Sequence, residues 1–231
     1  MIKIPLLLSG LLLVFTATAQ EESVRPGINR HFQDPDWQQW VNAFERPGRE
    51  VYDQRHAIVA ASRVRPGMSV ADIGAGTGLF TRLFAAAVEP DGTVYAIDIA
   101  STFVDNILRT SREQGLSNVT GIVNTTIDTG LPANSIDLAF ITDTYHHFEF
   151  PQQMLASIDQ ALRSEGRVII IDFRRDPAIS SNWVMGHVRG NKAQVIAEVQ
   201  AAGFRLMDDK ALLKTNYFLE FVKTAQKKGE Q

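Results

Sequence analysis

The fold is decided by residues 69–81, which read SVADIGAGTGLFT. Their first part, together with Met68, is a short and nearly continuous apolar run, which is typical of a parallel strand buried on both faces. Three glycines then stand at alternate positions and lead into a segment whose apolar residues recur at helical spacing. Glycine lets the main chain approach a ligand closely, and a helix N-terminus offers free N–H groups. The stretch therefore predicts a nucleotide-binding strand, turn and helix.

The glycine spacing separates two kinds of nucleotide site. The dinucleotide fingerprint is G-x-G-x-x-G, whereas this chain has G-x-G-x-G, with Leu79 in the place of the third fingerprint glycine. An oxidoreductase that uses a nicotinamide or flavin is therefore disfavoured. An acidic residue, Asp72, followed by G-x-G-x-G resembles motif I of the class I S-adenosylmethionine-dependent methyltransferases, and residues 72–78 match that motif at every position.

A second apolar run, residues 93–98, ends in a carboxylate about twenty residues after the glycines. Rossmann-type sites place a ribose-binding acid at this distance, and a carboxylate at the end of a strand can accept hydrogen bonds from both ribose hydroxyls. The alternative is that Asp98 only caps the next helix, which is predicted to begin near Ser101. The agreement of strand, acid and spacing favours the ribose role.

The resemblance implies an α/β fold with a doubly wound, seven-stranded and mostly parallel sheet (a Rossmann-like methyltransferase fold), ending in an antiparallel hairpin. It covers residues 65–224, with a helix predicted over 151–164 and the fifth strand over 168–173. Residues 20–64 are predicted to form an N-terminal arm and helical cap, with helices over 37–44 and 49–63. The charged face of this cap is predicted to be solvated, with the mouth of the cofactor site as the alternative. Residues 225–231 are predicted to be a polar tail.

The resemblance also implies contacts to S-adenosylmethionine. The glycines would cradle the cofactor, Asp72 would position its methionine amino group, and Asp98 would hold its ribose. The loop over residues 124–132 matches the family poorly, so the adenine contact is open among Asn124, Thr125 and Asp128, and Asp128 is the residue we choose. The full predicted set is Asp72, Gly74, Ala75, Gly76, Gly78, Asp98, Ile99, Asp128 and Asp143.

The acceptor side is predicted from residues 143–148, DTYHHF, which follow the fourth strand. Ligands of open α/β sheets bind at this edge, a ring near a sulfonium gains from cation–π attraction, and histidine accepts protons near neutral pH. Tyr145 and His146 are therefore predicted at the reacting centre, with a structural role as the alternative for His146. His147, His187 and Arg189 are predicted substrate contacts. A metal site on the two histidines would need carboxylate partners at a suitable geometry, and because nothing nearby in the sequence demands one, no metal is predicted.

Composition and net charge limit the fold size and the classes of partner that the chain can have. A chain of 231 residues is enough for one α/β domain with a sizeable core. Its net charge of −3 gives no basic footprint, which argues against a nucleic-acid partner. There is no cysteine, so disulfides and thiolate metal sites are excluded.

The N-terminus predicts export. Lys3 precedes an apolar stretch over residues 4–15, and Ala17-Thr18-Ala19 matches the small-x-small cleavage pattern. The stretch is short for a membrane span, so residues 1–19 are predicted to be a signal peptide cleaved after Ala19, leaving a periplasmic protein without stable membrane insertion. An uncleaved membrane anchor is the alternative.

Together these features predict a methyltransferase that moves the methyl group of S-adenosylmethionine to a small-molecule acceptor. The alternative is a non-catalytic protein of the cell envelope that binds S-adenosylmethionine or a nucleoside. The sequence defines neither the acceptor nor the oligomeric state.

Overall fold

A computed structural model describes residues 22–224. The predicted signal peptide over residues 1–19 and the predicted polar tail over 225–231 lie outside these residues. The described part contains seven strands, namely β1 (Ser69–Ile73), β2 (Thr93–Asp98), β3 (Val119–Val123), β4 (Ile136–Thr142), β5 (Leu162–Phe173), β6 (Phe204–Lys210) and β7 (Asn216–Lys223). Its α-helices are α1 (Trp37–Phe44), α2 (Glu50–Asp53), α3 (Arg55–Ala61), α4 (Leu79–Val88), α5 (Ser101–Glu113), α6 (Pro151–Ala161), α7 (Asn182–His187) and α8 (Lys192–Ala201).

The strands form one sheet in the order β3-β2-β1-β4-β5-β7-β6. The first five strands are parallel to their neighbours, and β7 runs antiparallel to both β5 and β6. The predicted fold class is therefore confirmed. The order reverses at β1, with β2 on one side and β4 on the other, and the carboxyl ends of these three strands meet there. This is the position at which open α/β sheets bind ligands.

The apolar runs of the central strands explain why the sheet is buried on both faces. Val70, Ala71 and Ile73 of β1 are buried, and apolar clusters cover the two faces of the sheet. Phe84 of α4 packs edge-on against Phe140 of β4, with ring centroids 4.8 Å apart. The apolar side chains thus stabilise the sheet, and the polar residues at the carboxyl ends of its strands are available to form a binding site.

The helical cap over α1–α3 differs from the sequence prediction in two ways. The predicted helix over 49–63 is interrupted at Gln54, so that α2 and α3 are separate. The charged face is not free in solvent, because three of its side chains bond to the sheet domain. Glu45 pairs with Arg82 of α4 at 2.8 Å, and Glu50 accepts hydrogen bonds from the N–H groups of residues 214 and 215 at 2.7 Å. The third, Arg49, reaches the site described below.

The start of β5 also differs from the prediction. Helix α6 ends at Ala161 rather than at residue 164, because Leu162 already takes an extended conformation and pairs with Ile136 of β4. The register then shifts before Leu138 pairs with Arg167. Leu162 is fully buried, whereas residues 163–165 are exposed. Leu162 continues the apolar spacing of the helix, and for this reason the sequence prediction placed the end of α6 too late.

Candidate cofactor and acceptor site

The three glycines of the loop after β1 differ in what surrounds them. All have positive φ angles, +71° at Gly74, +54° at Gly76 and +73° at Gly78, a region that favours glycine. A Cβ on Gly74 would lie 2.1 Å from a methyl carbon of Thr144, and one on Gly78 would lie 2.7 Å from Ile107. A Cβ on Gly76 would make only an ordinary contact of 3.5 Å with Phe44. Gly74 and Gly78 therefore allow close packing, and Gly76 leaves room beside an aromatic ring.

A cavity of about 660 Å³ opens at the carboxyl edge of β1, β2 and β4, beneath the helical cap. Several residues of the predicted cofactor set line it, namely Asp72, Gly74, Ala75, Gly76, Asp98, Ile99 and Asp143. Gly78 does not line it, because it packs against α5 behind the loop. Seven of the nine predicted cofactor residues therefore line the cavity.

Asp98 lies at the end of β2 with its carboxylate turned into the glycine loop. Its Oδ2 accepts a hydrogen bond from the N–H of Gly76 at 2.8 Å, and its Oδ1 accepts one from Ala100 at 3.0 Å. The side chain is buried, and burial raises its pKa to about 6 although these N–H donors favour the charged form. Asp98 therefore joins β2 to the loop and to Ala100. The alternative role as the cap of α5 is not seen, because Ala100 is the N-cap residue of that helix and no side chain caps it.

Asp72 is buried one strand away, near the start of α4. It accepts a hydrogen bond of 2.6 Å from the hydroxyl of Thr81. Burial raises its pKa to about 7, and the nearby carboxylate of Asp98 adds to this shift. Two carboxylates with disfavoured charge thus border one cavity, which is the environment that a ligand with hydroxyl or ammonium donors would stabilise.

Asp143 follows β4 and connects the cavity to the cap. Its φ of +50° is unusual for a residue other than glycine. Its carboxylate pairs with Arg49 at 2.6 Å and accepts a hydrogen bond from the side-chain amide of Asn216, also at 2.6 Å. Burial raises its pKa, against the effect of the Arg49 charge. The sequence offered Arg49 only as the alternative, as part of a charged cap face at the mouth of the site, and it did not single out Asn216, which lies near no recognisable motif.

Aromatic side chains of the N-terminal segment form the roof of the cavity. The rings of Phe32 and Trp40 lie 4.9 Å apart, as do those of Trp40 and Phe44, and Phe103 of α5 is 6.3 Å from Phe32. Trp40 and Phe44 are four residues apart in α1 and therefore lie on one face of that helix. The structure shows that this face covers the cavity.

Besides Gly78, three predicted site residues lie outside the cavity. Asp128 is exposed, accepts hydrogen bonds from Ser157 and the Gly130 N–H, and thereby closes its own loop. Tyr145 is fully buried outside the cavity, and its hydroxyl donates to Glu198 at 2.9 Å. Arg189 pairs with the same glutamate at 2.7 Å. The predicted adenine contact of Asp128, the reacting-centre role of Tyr145 and the substrate contact of Arg189 therefore need correction, because these side chains do not line the cavity.

The remaining predicted residues meet in a histidine cluster, which consists of His146, His147 and His187 and lines the cavity. His146 and His147 lie in the short 3-10 turn after β4, and His187 comes from the end of α7. Adjacency in the sequence revealed the first two, but the approach of His187 is a tertiary contact. The sequence analysis predicts no metal here, whereas the structure brings three potential ligand atoms within 4.8 Å of one another.

Residues 71–170 match a family model described as a methyltransferase domain. Over 122 residues the chain is 30% identical to the ubiquinone/menaquinone biosynthesis C-methyltransferase of Burkholderia vietnamiensis, which covers 51% of this chain and 48% of that protein. The chain thus spans about half the length of the curated relatives that it matches.

Solved structures show the same fold. A SAM-dependent methyltransferase from Aquifex aeolicus is similar with a TM-score of 0.72 and 22% identity, over 81% of this chain and 98% of that chain. A "possible exported protein" from Bordetella parapertussis is similar with a TM-score of 0.61 and 15% identity, over 84% of this chain and 81% of that chain. The matched segment includes the glycine loop and Asp98, and the prediction of a methyltransferase domain is confirmed over residues 71–170.

Proposed function

We propose that the whole chain is an exported enzyme that transfers the methyl group of S-adenosylmethionine to a small-molecule acceptor. The observation that carries this proposal is that the glycine loop, Asp98 and the histidine cluster border one cavity. One end of that cavity has the features of a cofactor site, and the other end carries side chains that can contact an acceptor.

The residues at the cofactor end fit S-adenosylmethionine. The main chain of residues 74–77 forms one wall, and Gly76 leaves space beside Phe44. Asp98 would hold the ribose, because its carboxylate can accept further hydrogen bonds from hydroxyl groups. Asp72 would face the ammonium group, which would stabilise its charged form.

S-adenosylmethionine, when bound, supplies a methyl group that its sulfonium already activates. The chain therefore has to align the reactants and exclude water. The aromatic roof over Phe32, Trp40 and Phe44 serves both tasks, since its rings cover the cavity and can face a cationic ligand. The pairs Arg49–Asp143 and Glu45–Arg82 hold this roof against the sheet.

Export is proposed from the N-terminal sequence over residues 1–19. The fold likeness to a protein described as a "possible exported protein" is in keeping with it. Among residues 22–224, no helix combines the length and the apolar character that a membrane crossing requires. Fractionation of cells and mass analysis of the purified protein test the proposal: a periplasmic protein that begins at Gln20 supports it, and an uncleaved chain in the membrane supports the anchor instead.

A second candidate is a non-catalytic protein that binds S-adenosylmethionine in the envelope. The observation in its favour is the exposed position of Asp128, which leaves the predicted adenine contact outside the cavity. Transfer of an isotopically labelled methyl group from S-adenosylmethionine to the small-molecule fraction of an envelope extract separates the two candidates.

The enzyme proposal expects a labelled low-mass product with the wild type and with Asp105→Asn, an exposed carboxylate on α5 that serves as the matched control. It expects loss of that product with Asp98→Asn. Binding of S-adenosylmethionine without any labelled product would support the non-catalytic candidate instead.

A further inference from the structure

The histidine cluster has the spacing of a metal site. The Nε2 atoms of His147 and His187 lie 3.3 Å apart, and one ligand atom from each of the three histidines lies within 4.8 Å of the others. Two nitrogen ligands at about 2.0–2.1 Å from a tetrahedral zinc ion lie about 3.3–3.4 Å apart. The first pair already has this separation, and the ligand atom of His146 lies within 4.8 Å of both.

The outer partners of two histidines leave their Nε2 atoms without a proton. The Nδ1 of His146 lies 2.8 Å from the Asp172 carboxylate, which can only accept, so the ring proton is on Nδ1. The Nδ1 of His147 lies 3.1 Å from the Oδ1 of Asn29. The Asn29 amide donates to the His147 carbonyl and to Glu149, which fixes its oxygen toward the ring. Metal-binding histidines have such a second partner.

Among the described residues 22–224, the Nε2 atom of His146 is buried and has no hydrogen-bond partner. A buried acceptor without a partner costs about 1–3 kcal/mol, so most such groups in native proteins are satisfied. A bound cation would satisfy it.

A carboxylate and an aromatic ring support the cluster from outside. The buried Asp172 carboxylate supplies a negative charge next to His146. Trp183 stacks on the His187 ring at 4.5 Å and holds it in place.

We propose that His146, His147 and His187 bind one zinc-like divalent ion through their Nε2 atoms and leave a coordination position open to the cavity for a hydroxyl group of the acceptor. Three histidines with an open fourth position are the arrangement of catalytic zinc sites. Coordination lowers the pKa of a bound hydroxyl group.

The use of the ion in methyl transfer rests on the proposed function. The acceptor hydroxyl would lose its proton to solvent on coordination. A bond would then form between its oxygen and the methyl carbon, while the sulfur keeps the electron pair of the bond that breaks. The binding of the ion itself does not depend on this step.

The test uses the purified protein without a histidine tag, treated with a chelator and then titrated with Zn²⁺ in a calorimeter. Co²⁺ serves as a second probe, because its visible absorption reports tetrahedral coordination. The wild type and His56→Gln, an exposed histidine on α3, should bind one equivalent of Zn²⁺. His187→Gln should bind at least about a hundredfold more weakly, and Asn29→Ala, which removes only an outer partner, about tenfold more weakly.

No Zn²⁺ binding by folded wild-type protein, or equal affinity in the wild type and His187→Gln, would overturn the metal site. Thermal unfolding checks that each variant is folded. If His187→Gln does not fold, the comparison of Asn29→Ala with the wild type still tests the site. Titration of the metal-free protein with S-adenosylmethionine separates the two proposals. Cofactor binding without Zn²⁺ binding refutes only the metal site, and Zn²⁺ binding without cofactor binding refutes only the proposed function.

Discussion

Replacing Gly74 with alanine tests how the glycine loop is packed against the end of β4. The new Cβ would lie 2.1 Å from Cγ2 and 2.5 Å from Oγ1 of Thr144, and the residue would keep a φ of +71°. The left-handed conformation costs about 1–2 kcal/mol, and overpacking adds about 1–3 kcal/mol. We therefore expect Gly74→Ala to lower the free energy of unfolding by about 2–5 kcal/mol, or the Tm by about 4–20 °C for a chain of this size.

Gly115 supplies the matched control. It has a similar φ of +77°, but a Cβ there would meet nothing within 4 Å. Gly115→Ala should therefore lose only the conformational part of the free energy, about 1–2 kcal/mol. Thr144→Ala in the Gly74→Ala background should recover part of the loss, so that the double variant costs less than the sum of the single changes. Urea unfolding followed by circular dichroism measures all four variants, and equal losses for Gly74→Ala and Gly115→Ala would refute the packing argument.

Three further variants test the electrostatics of the site. Arg49→Met leaves the buried Asp143 carboxylate without its cation, so it should destabilise the fold by about 3–5 kcal/mol at pH 7.5. Burial raises the folded pKa of Asp143 and the Arg49 charge lowers it. The carboxyl of Arg49→Met should therefore take up a proton as the pH falls, and its deficit in urea unfolding should shrink progressively as the pH is lowered from 7.5; a deficit that stays equal at every pH would contradict this. Tyr145→Phe removes a hydrogen bond to Glu198 and should cost about 1 kcal/mol in thermal unfolding without weakening cofactor binding; a large loss of binding would restore the predicted role of Tyr145. Since the pKa of Asp98 is about 6 and that of Asp72 is about 7, the Kd for S-adenosylmethionine measured by calorimetry should be constant only above about pH 8. It should rise as the pH falls, with Asp98 contributing up to about tenfold per pH unit below 6. Asp98→Asn should lack the Asp98 part of this rise, and an unchanged pH profile in that variant would contradict the assignment.

Local chemistry made the cofactor end of the site predictable. Residues 93–98 form β2 as predicted, because an apolar run rich in β-branched residues follows a turn at Pro90-Asp91-Gly92. The spacing from the glycines then placed Asp98 at the cavity. Asp36 caps α1 in the same local way, because its side chain accepts a hydrogen bond from the Gln39 N–H at 2.9 Å. In each case the deciding interactions are local or belong to one strand–turn–helix unit.

The acceptor end was less predictable because its geometry depends on tertiary contacts. Tyr145 and His146 are neighbours in a 3-10 turn, yet the first side chain points into the core and the second lines the cavity. No periodic pattern fixes side-chain direction in so short a turn. His187 reaches the cluster only because α7 returns after β5, and Arg49 reaches Asp143 across 94 residues. Only the packing of the cap and of the segment after β5 reveals these contacts.

The most direct test of the central claim is calorimetric titration of the purified protein with S-adenosylmethionine, beside Asp98→Asn and the control Asp105→Asn. If the cavity at the ends of β1 and β2 holds the cofactor, the wild type and the control bind one equivalent with matching affinity. Asp98→Asn should then bind about 10–100-fold more weakly, because hydrogen bonds to a charged group contribute about 1.5–3 kcal/mol. Folded wild-type protein that binds no S-adenosylmethionine, or an Asp98→Asn variant with undiminished affinity, would contradict the account.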